Sequence, residues 1–171
     1  MNPTPAPLRV CVLSLGGGGH HFEVERLLSS LAGNMELVLV YVIATQVDGN
    51  WSSPFPVRRA FVVRSPSLKG DGIWSQLWRL PLTILQALWV LAAARPDCIV
   101  AVGTAQAVPF GVAGRLLGIP MYFVESITRV TGPGRAARLV TRFGLARKAF
   151  YQWAELAAGD SRARYEGKVV E

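Results

Sequence analysis

Short apolar runs alternate along the chain with longer stretches in which apolar residues recur every three or four positions. The runs Arg9–Leu15, Leu37–Ala44, Ala60–Arg64, Cys98–Val102 and Met121–Glu125 read as strands. After the first of them, Val24, Leu27, Leu28 and Leu31 fall on one helical face, so a helix is predicted from about His20 to Leu31, with Gly33-Asn34 as its stop. Asp48 to Pro56, with Gly49, Asn50, two serines and two prolines, reads as a loop. Ile73–Ala94 is a long helical stretch ahead of the fourth strand. Strands alternating with helices predict an α/β fold, a parallel sheet with helices on both faces.

Between the first strand and the first helix stands Gly16-Gly17-Gly18-Gly19-His20-His21. Glycines let a backbone approach a ligand closely, and a helix N-terminus offers unpaired N–H groups and partial positive charge, so the turn suits a phosphate or diphosphate. A ligand-free flexible turn is the competing reading. The dinucleotide fingerprint does not fit. Starting at Gly16 puts His21 at the third glycine position, starting at Gly17 puts Phe22 there, and the second strand is followed by Thr45 and Gln46 with Asp48 late. No nicotinamide or flavin cofactor is expected, and no metal-ligand spacing is visible.

The 171 residues suit one domain, with a core from 8 to 156 and a C-terminal extension, 157–171, to which no role is assigned. The chain is 51% hydrophobic with a net charge of +7, and its mean hydropathy is +0.32. Being both apolar and basic favours a membrane surface or an anionic ligand as partner. Nucleic acid is disfavoured because aromatic residues do not interleave with basic ones and no nucleic-acid motif occurs. Cys11 and Cys98 lie inside strand-like runs and are expected as reduced core residues. The lead Met1–Pro7 does not resemble a signal peptide.

From Leu80 to Ala94 the chain is apolar except for Thr83 and Gln86, over 15 residues; a membrane span needs roughly 20. The stretch is either a buried crossover helix or a helix whose outer face, with Trp74, Trp78 and Trp89, enters the bilayer interface. Further on, Arg135, Arg138 and Arg142 share one helical face, extended by Arg147 and Lys148. They form either a solvated surface or a contact for anionic head groups or a polyprenyl diphosphate.

Three segments together resemble the acceptor-side half of GT-B glycosyltransferases of lipid-linked sugar synthesis. Gly16–His20 looks like a G-x-G-G-H loop. Arg95-Pro96-Asp97 through Gly103-Thr104, with Val108-Pro109 and Gly118-Ile119-Pro120, is similar to a strand, Gly-Thr turn, helix and G-I-P segment of that group. Glu125-Ser126-Ile127-Thr128-Arg129-Val130, with Gln152-Trp153-Ala154-Glu155-Leu156, resembles the membrane-associated subunit of the split UDP-N-acetylglucosamine transferase of dolichol-linked oligosaccharide assembly. It also resembles the accessory subunits of bacterial exopolysaccharide β-1,4-glucuronosyltransferases. The resemblance runs from about Arg9 to Leu156. Ala154 stands where the family's Q-W motif usually has proline, and the turn from Gly103 to Ala107 is less glycine-rich than in single-chain peptidoglycan relatives. The family's eukaryotic subunit carries an N-terminal membrane anchor not seen here, so attachment is expected to rely on Ile73–Ala94 and the arginines.

The resemblance implies a Rossmann-like domain equivalent to the N-terminal half of a GT-B enzyme, active only with a small UDP-sugar-binding partner. It also implies a polyprenyl-diphosphate-linked sugar as acceptor and a peripheral or monotopic place on the cytoplasmic face of a membrane. Gly16, Gly17, Gly18 and Gly19 are the expected diphosphate cradle, with Thr104 and Arg129 at other loops. Sugar transfer needs a base for the acceptor hydroxyl. His20 is one candidate, or else an orienting residue on the diphosphate. Glu125 is the other, or else a group that orients an arginine or bonds to backbone. The rival functions are a non-catalytic membrane recruiter of the donor subunit and a free-standing nucleotide-binding protein.

Overall fold

In a computed structural model of the chain, the structure describes residues 6–13, 19–31, 33–42, 55–66 and 73–169, without the side chains of 19–21, 41–42 and 73–77. Among the described residues, seven strands form one parallel sheet in the order β3-β2-β1-β4-β5-β6-β7. They are β1 (Leu8–Leu13), β2 (Met35–Val42), β3 (Val57–Val63), β4 (Cys98–Val102), β5 (Met121–Val124), β6 (Lys148–Phe150) and β7 (Ala163–Arg164). The helices are α1 (Gly19–Ser30), α2 (Ile73–Ala94), α3 (Ala107–Leu117), α4 (Arg135–Arg142) and α5 (Ala154–Ala158). The α/β expectation holds, and the first five strands and the first two helices match the predicted segments to within a few residues. Strands β6 and β7 were not expected; three and two residues long, they are too short to show a hydrophobic rhythm.

The central strands are buried on both faces, as parallel strands under helices must be. On one face Cys11, Leu13, Val38, Ile99, Ala101 and Phe123 pack against Ala87, Val90 and Leu91 of α2, Phe110 and Ala113 of α3, and Ala137 and Val140 of α4. On the other, Val10, Val12, Leu37 and Leu39 pack against Val24 and Leu28 of α1, with Val169 of the C-terminal segment beside them. Cys11 and Cys98 are free and buried, on neighbouring strands but in opposite cores. Burial pushes both thiols above their usual pKa, Cys11 furthest, so they are neutral core groups.

Two glycines shape α3, one by close packing and one by ending the helix. A methyl at Gly114 would come within 2.8 Å of the Ile119 carbonyl oxygen and 2.9 Å of Ile99 Cδ1. Gly118 ends the helix at φ 72°, and the next amide, of Ile119, donates to Gly114 O at 2.8 Å.

Because α1 covers one face while α2 to α4 cover the other, the chain changes sides between β1 and β4. The loops after these two strands therefore part from each other at the carboxyl edge of the sheet, where α/β proteins bind ligands.

Candidate functional site

The β1–α1 connection opens at this seam. Of the tetraglycine corner, Gly16, Gly17 and Gly18 lie outside the described residues; Gly19 begins α1, and His20 and His21 follow in its first turn. Beside it the β4–α3 loop starts at Gly103, whose N–H donates to Val124 O at 2.8 Å. Thr104 receives N–H groups from the start of α3: its Oγ1 from Gln106 at 3.3 Å and its carbonyl oxygen from Ala107 at 3.2 Å. Gln106, which the sequence did not single out, is 1% exposed and ties α3 to the end of β3 through Nε2 to Arg64 O at 2.7 Å. Its Oε1 is buried with no hydrogen-bond partner.

The β5–α4 loop contributes the densest polar cluster. Glu125, one residue past β5, is buried, and both its oxygens accept backbone N–H groups, from Ser126 at 2.9 Å and from Gly134 at 2.7 Å. Of the roles open to Glu125, bonding to backbone is the one this geometry displays. Arg129 is exposed on the same loop, and a methyl at Gly134 would lie 3.5 Å from its Nε and 3.3 Å from Glu125 Oε2. A side chain at 134 would thus crowd Glu125 Oε2 and touch Arg129.

Beneath the loop lies a carboxylate that the sequence analysis missed. Glu23, on α1, is 2% exposed. Its Oε1 accepts the Ser126 hydroxyl at 2.6 Å, and its Oε2 accepts Ile127 N–H at 3.1 Å and Gln152 Nε2 at 2.8 Å. Gln152 Nε2 also donates to Glu125 O at 2.9 Å, and Trp153 Nε1 donates to Ile127 O at 2.8 Å. The two motifs around Glu125 and Gln152 thus meet on one buried acid. The available signal was that clustered donors at Ser126 and Gln152 require an acceptor. The extension left without a role also joins in: Val169 N donates to Gln152 Oε1 at 2.8 Å, and Lys168 Nζ lies 4.3 Å from the Trp153 ring centre.

On the α2–α4 face, α2 is apolar on two sides. Thr83, Ala87, Val90, Leu91 and Ala94 are buried, whereas Trp78, Leu82, Leu85 and Trp89 are 80%, 57%, 63% and 62% exposed. Spacings of four, three and four put these last side chains in one stripe. From Trp78 to Trp89 it extends roughly 16 Å, at 1.5 Å per residue. Trp89 also meets Phe61 edge to face at 5.5 Å. Trp74 belongs to the same helix, and its side chain is outside the described residues. Arg135, Arg138 and Arg142 are all exposed on α4, with Leu139 and Phe143 exposed beside them. Among the described residues no helix is long and apolar enough to cross a membrane.

No family model matches the chain. Human UDP-N-acetylglucosamine transferase subunit ALG14 is 27% identical over 194 aligned residues, covering 99% of this chain and 87% of that protein. The pyrophosphoryl-undecaprenol N-acetylglucosamine transferase of Shewanella baltica is 29% identical over 142 residues, covering 81% of this chain and 38% of the enzyme. The chain therefore spans well under half the length of that relative. Among solved structures, Acinetobacter baumannii MurG superposes with a TM-score of 0.65 at 19% identity, over 88% of this chain and 43% of that one. Staphylococcus aureus MnaA with UDP superposes with a TM-score of 0.63 at 14% identity, over 95% and 44%. The structural likenesses concern the fold, a Rossmann-like sheet of the GT-B kind. The resemblance read from the sequence holds: the chain is homologous to the human subunit and to part of the bacterial transferase.

Proposed function

We propose that this chain is the acceptor-side half of a two-component glycosyltransferase of lipid-linked saccharide synthesis. It binds a polyprenyl-diphosphate-linked sugar at a membrane surface, and a separate subunit holds the UDP-sugar. The observation that carries this reading is the conjunction of the β1–β4 seam, where α1 begins, with the solvent-facing Trp78–Leu82–Leu85–Trp89 stripe on the same small domain. A diphosphate and a long hydrocarbon are the two ends of such an acceptor. Similarity over most of the length of human subunit ALG14 supports the division into two chains.

In this reading the N–H groups of Gly16–Gly19 and the first turn of α1 cradle the diphosphate, assisted by Arg129, with Thr104 in a lesser role because its oxygens already receive the first amides of α3. His20 takes the proton of the attacking hydroxyl, and charge on the departing UDP is met by the partner. Glu125 is left as the anchor of the Arg129 loop, since both its oxygens are engaged. The α2 stripe lies in the bilayer interface, and Arg135, Arg138 and Arg142 meet anionic head groups, which makes attachment peripheral.

The test is reconstitution with a small UDP-sugar-binding subunit, using UDP-N-acetylglucosamine and UDP-glucuronate as donors and short-chain polyprenyl-diphosphate N-acetylglucosamine as acceptor. Transfer by the pair and by neither chain alone is expected, with His20→Ala abolishing it. Transfer by this chain alone overturns the two-component reading. Full activity of His20→Ala would leave the chain as a recruiter.

A further inference from the structure

We infer that Glu23 is a positioning residue for the site at the β1–β4 seam, an inference that rests on the proposed function. A carboxylate is among the costliest side chains to remove from water, and Glu23 is 2% exposed. Its neighbours on α1, Val24 and Leu28, are buried among apolar groups, so cohesion between α1 and the sheet has an ordinary hydrophobic source. Burying a charge in place of a well-packed apolar side chain is often neutral or costly for stability. What the acid supplies is direction.

The donors to Glu23 come from two loops far away in sequence: Ser126 and Ile127 follow β5, and Gln152 follows β6. Hydrogen bonds to both carboxylate oxygens fix the rotation of α1 about its axis as well as its height along it. Apolar contacts tolerate sliding in both. One turn before Glu23 stands His20, and two residues past Ile127 stands Arg129, so a shift at Glu23 changes the relation between the helix that carries the base and the loop that carries the cation. The web around it is closed by Gln152 Nε2 to Glu125 O and by Trp153 Nε1 to Ile127 O. Displacing a reacting group by about 1 Å costs on the order of a hundredfold in rate.

The experiment compares wild type, Glu23→Gln and Ser126→Ala in the reconstituted two-chain complex, with the donors and acceptor named above. Ser126→Ala removes one donor to the acid, together with the Ser126 Oγ contacts to Thr128, and keeps the acid itself, so it tests the same web if Glu23→Gln fails to fold. Unfolding midpoints give the folded fraction, and rates are taken per folded complex. Expected is a fall in kcat of about tenfold or more for Glu23→Gln and about threefold for Ser126→Ala, with the donor KM within twofold of wild type. If the variants that fold turn over within twofold of wild type, or if the loss merely follows the folded fraction or the donor KM, Glu23 only holds the domain together and the inference is overturned. An inactive wild-type pair defeats the proposed function first, and this inference with it.

Discussion

Glu125 and Gly134 are joined across nine residues by a 2.7 Å hydrogen bond from the glycine N–H to Oε2, which closes the β5–α4 loop at its base. The other oxygen holds Ser126 N at 2.9 Å, so the loop carrying Arg129 is tied at both ends to one buried acid. An amide in its place would set an NH2 group against one of these donors. Glu125→Gln is expected to lower stability by about 1–3 kcal/mol, read from urea unfolding. In the reconstituted complex the proposed role of His20 as the base predicts an unchanged pH profile of transfer for this variant, and a displaced profile would return the role to Glu125.

Trp78 and Leu85 project from α2 with 80% and 63% of their surface exposed. Their replacement by serine should shift the unfolding free energy by no more than about 0.5 kcal/mol each. Sedimentation with vesicles containing anionic lipid should weaken by roughly tenfold or more in Trp78→Ser/Leu85→Ser, as each side chain forfeits its apolar burial. Equal vesicle binding by the double variant would remove the stripe from the membrane contact.

Gly114 packs against backbone, the Ile119 carbonyl at 2.8 Å, and against Ile99 Cδ1 at 2.9 Å from the position of an added methyl. A backbone group cannot swing aside as a flexible side chain can. Gly114→Ala should therefore cost about 1–3 kcal/mol by denaturant unfolding, even though alanine favours helices.

Arg95, just after α2, has φ 47°, in the left-handed region. For a residue with a Cβ this conformation costs roughly 1–2 kcal/mol, while glycine gives back roughly 0.5–1 kcal/mol through its freer unfolded chain. Arg95→Gly should thus leave stability unchanged or raise it by up to about 1.5 kcal/mol, measured by thermal or urea unfolding.

Tyr151 is buried and donates its hydroxyl to Asp160 Oδ2 at 3.1 Å. Burial first, and then the Asp160 charge, push its pKa from 10.0 up to about 12. The folded chain keeps this proton where the unfolded chain releases it, so the stabilisation is complete below pH 10 and is lost as pH rises through about 12. Urea midpoints followed between these values should fall for wild type, and Tyr151→Phe should flatten that descent.

The sheet was legible wherever strands were long and buried on both sides, as at Val10–Leu13 and Ile99–Val102. Lys148-Ala149-Phe150 and Ala163-Arg164 carry too few residues for a pattern and owe their pairing to neighbours already in place. The motif around Glu125 was readable as chemistry, but its direction was not, because whether a carboxylate faces solvent or its own loop depends on Gly134, nine residues on. Glu23 was hidden for a related reason. Helical periodicity marks Val24 and Leu28, whereas the donors that make an acid tolerable at 23 come from 103 to 129 positions away.

The two outer strands bear on how any second polypeptide can join this one. At one margin β7 offers only two residues, and at the other β3 sets Arg58 and Arg59 along an exposed border, with Arg58 facing Glu36 at 3.7 Å. Among the described residues, one margin is too short to pair with another strand and the other sets two arginines between exposed Val57 and Val62. Assembly by lengthening the sheet is thereby discouraged, and a companion chain has the loop-bearing rim and the helical flanks on which to settle.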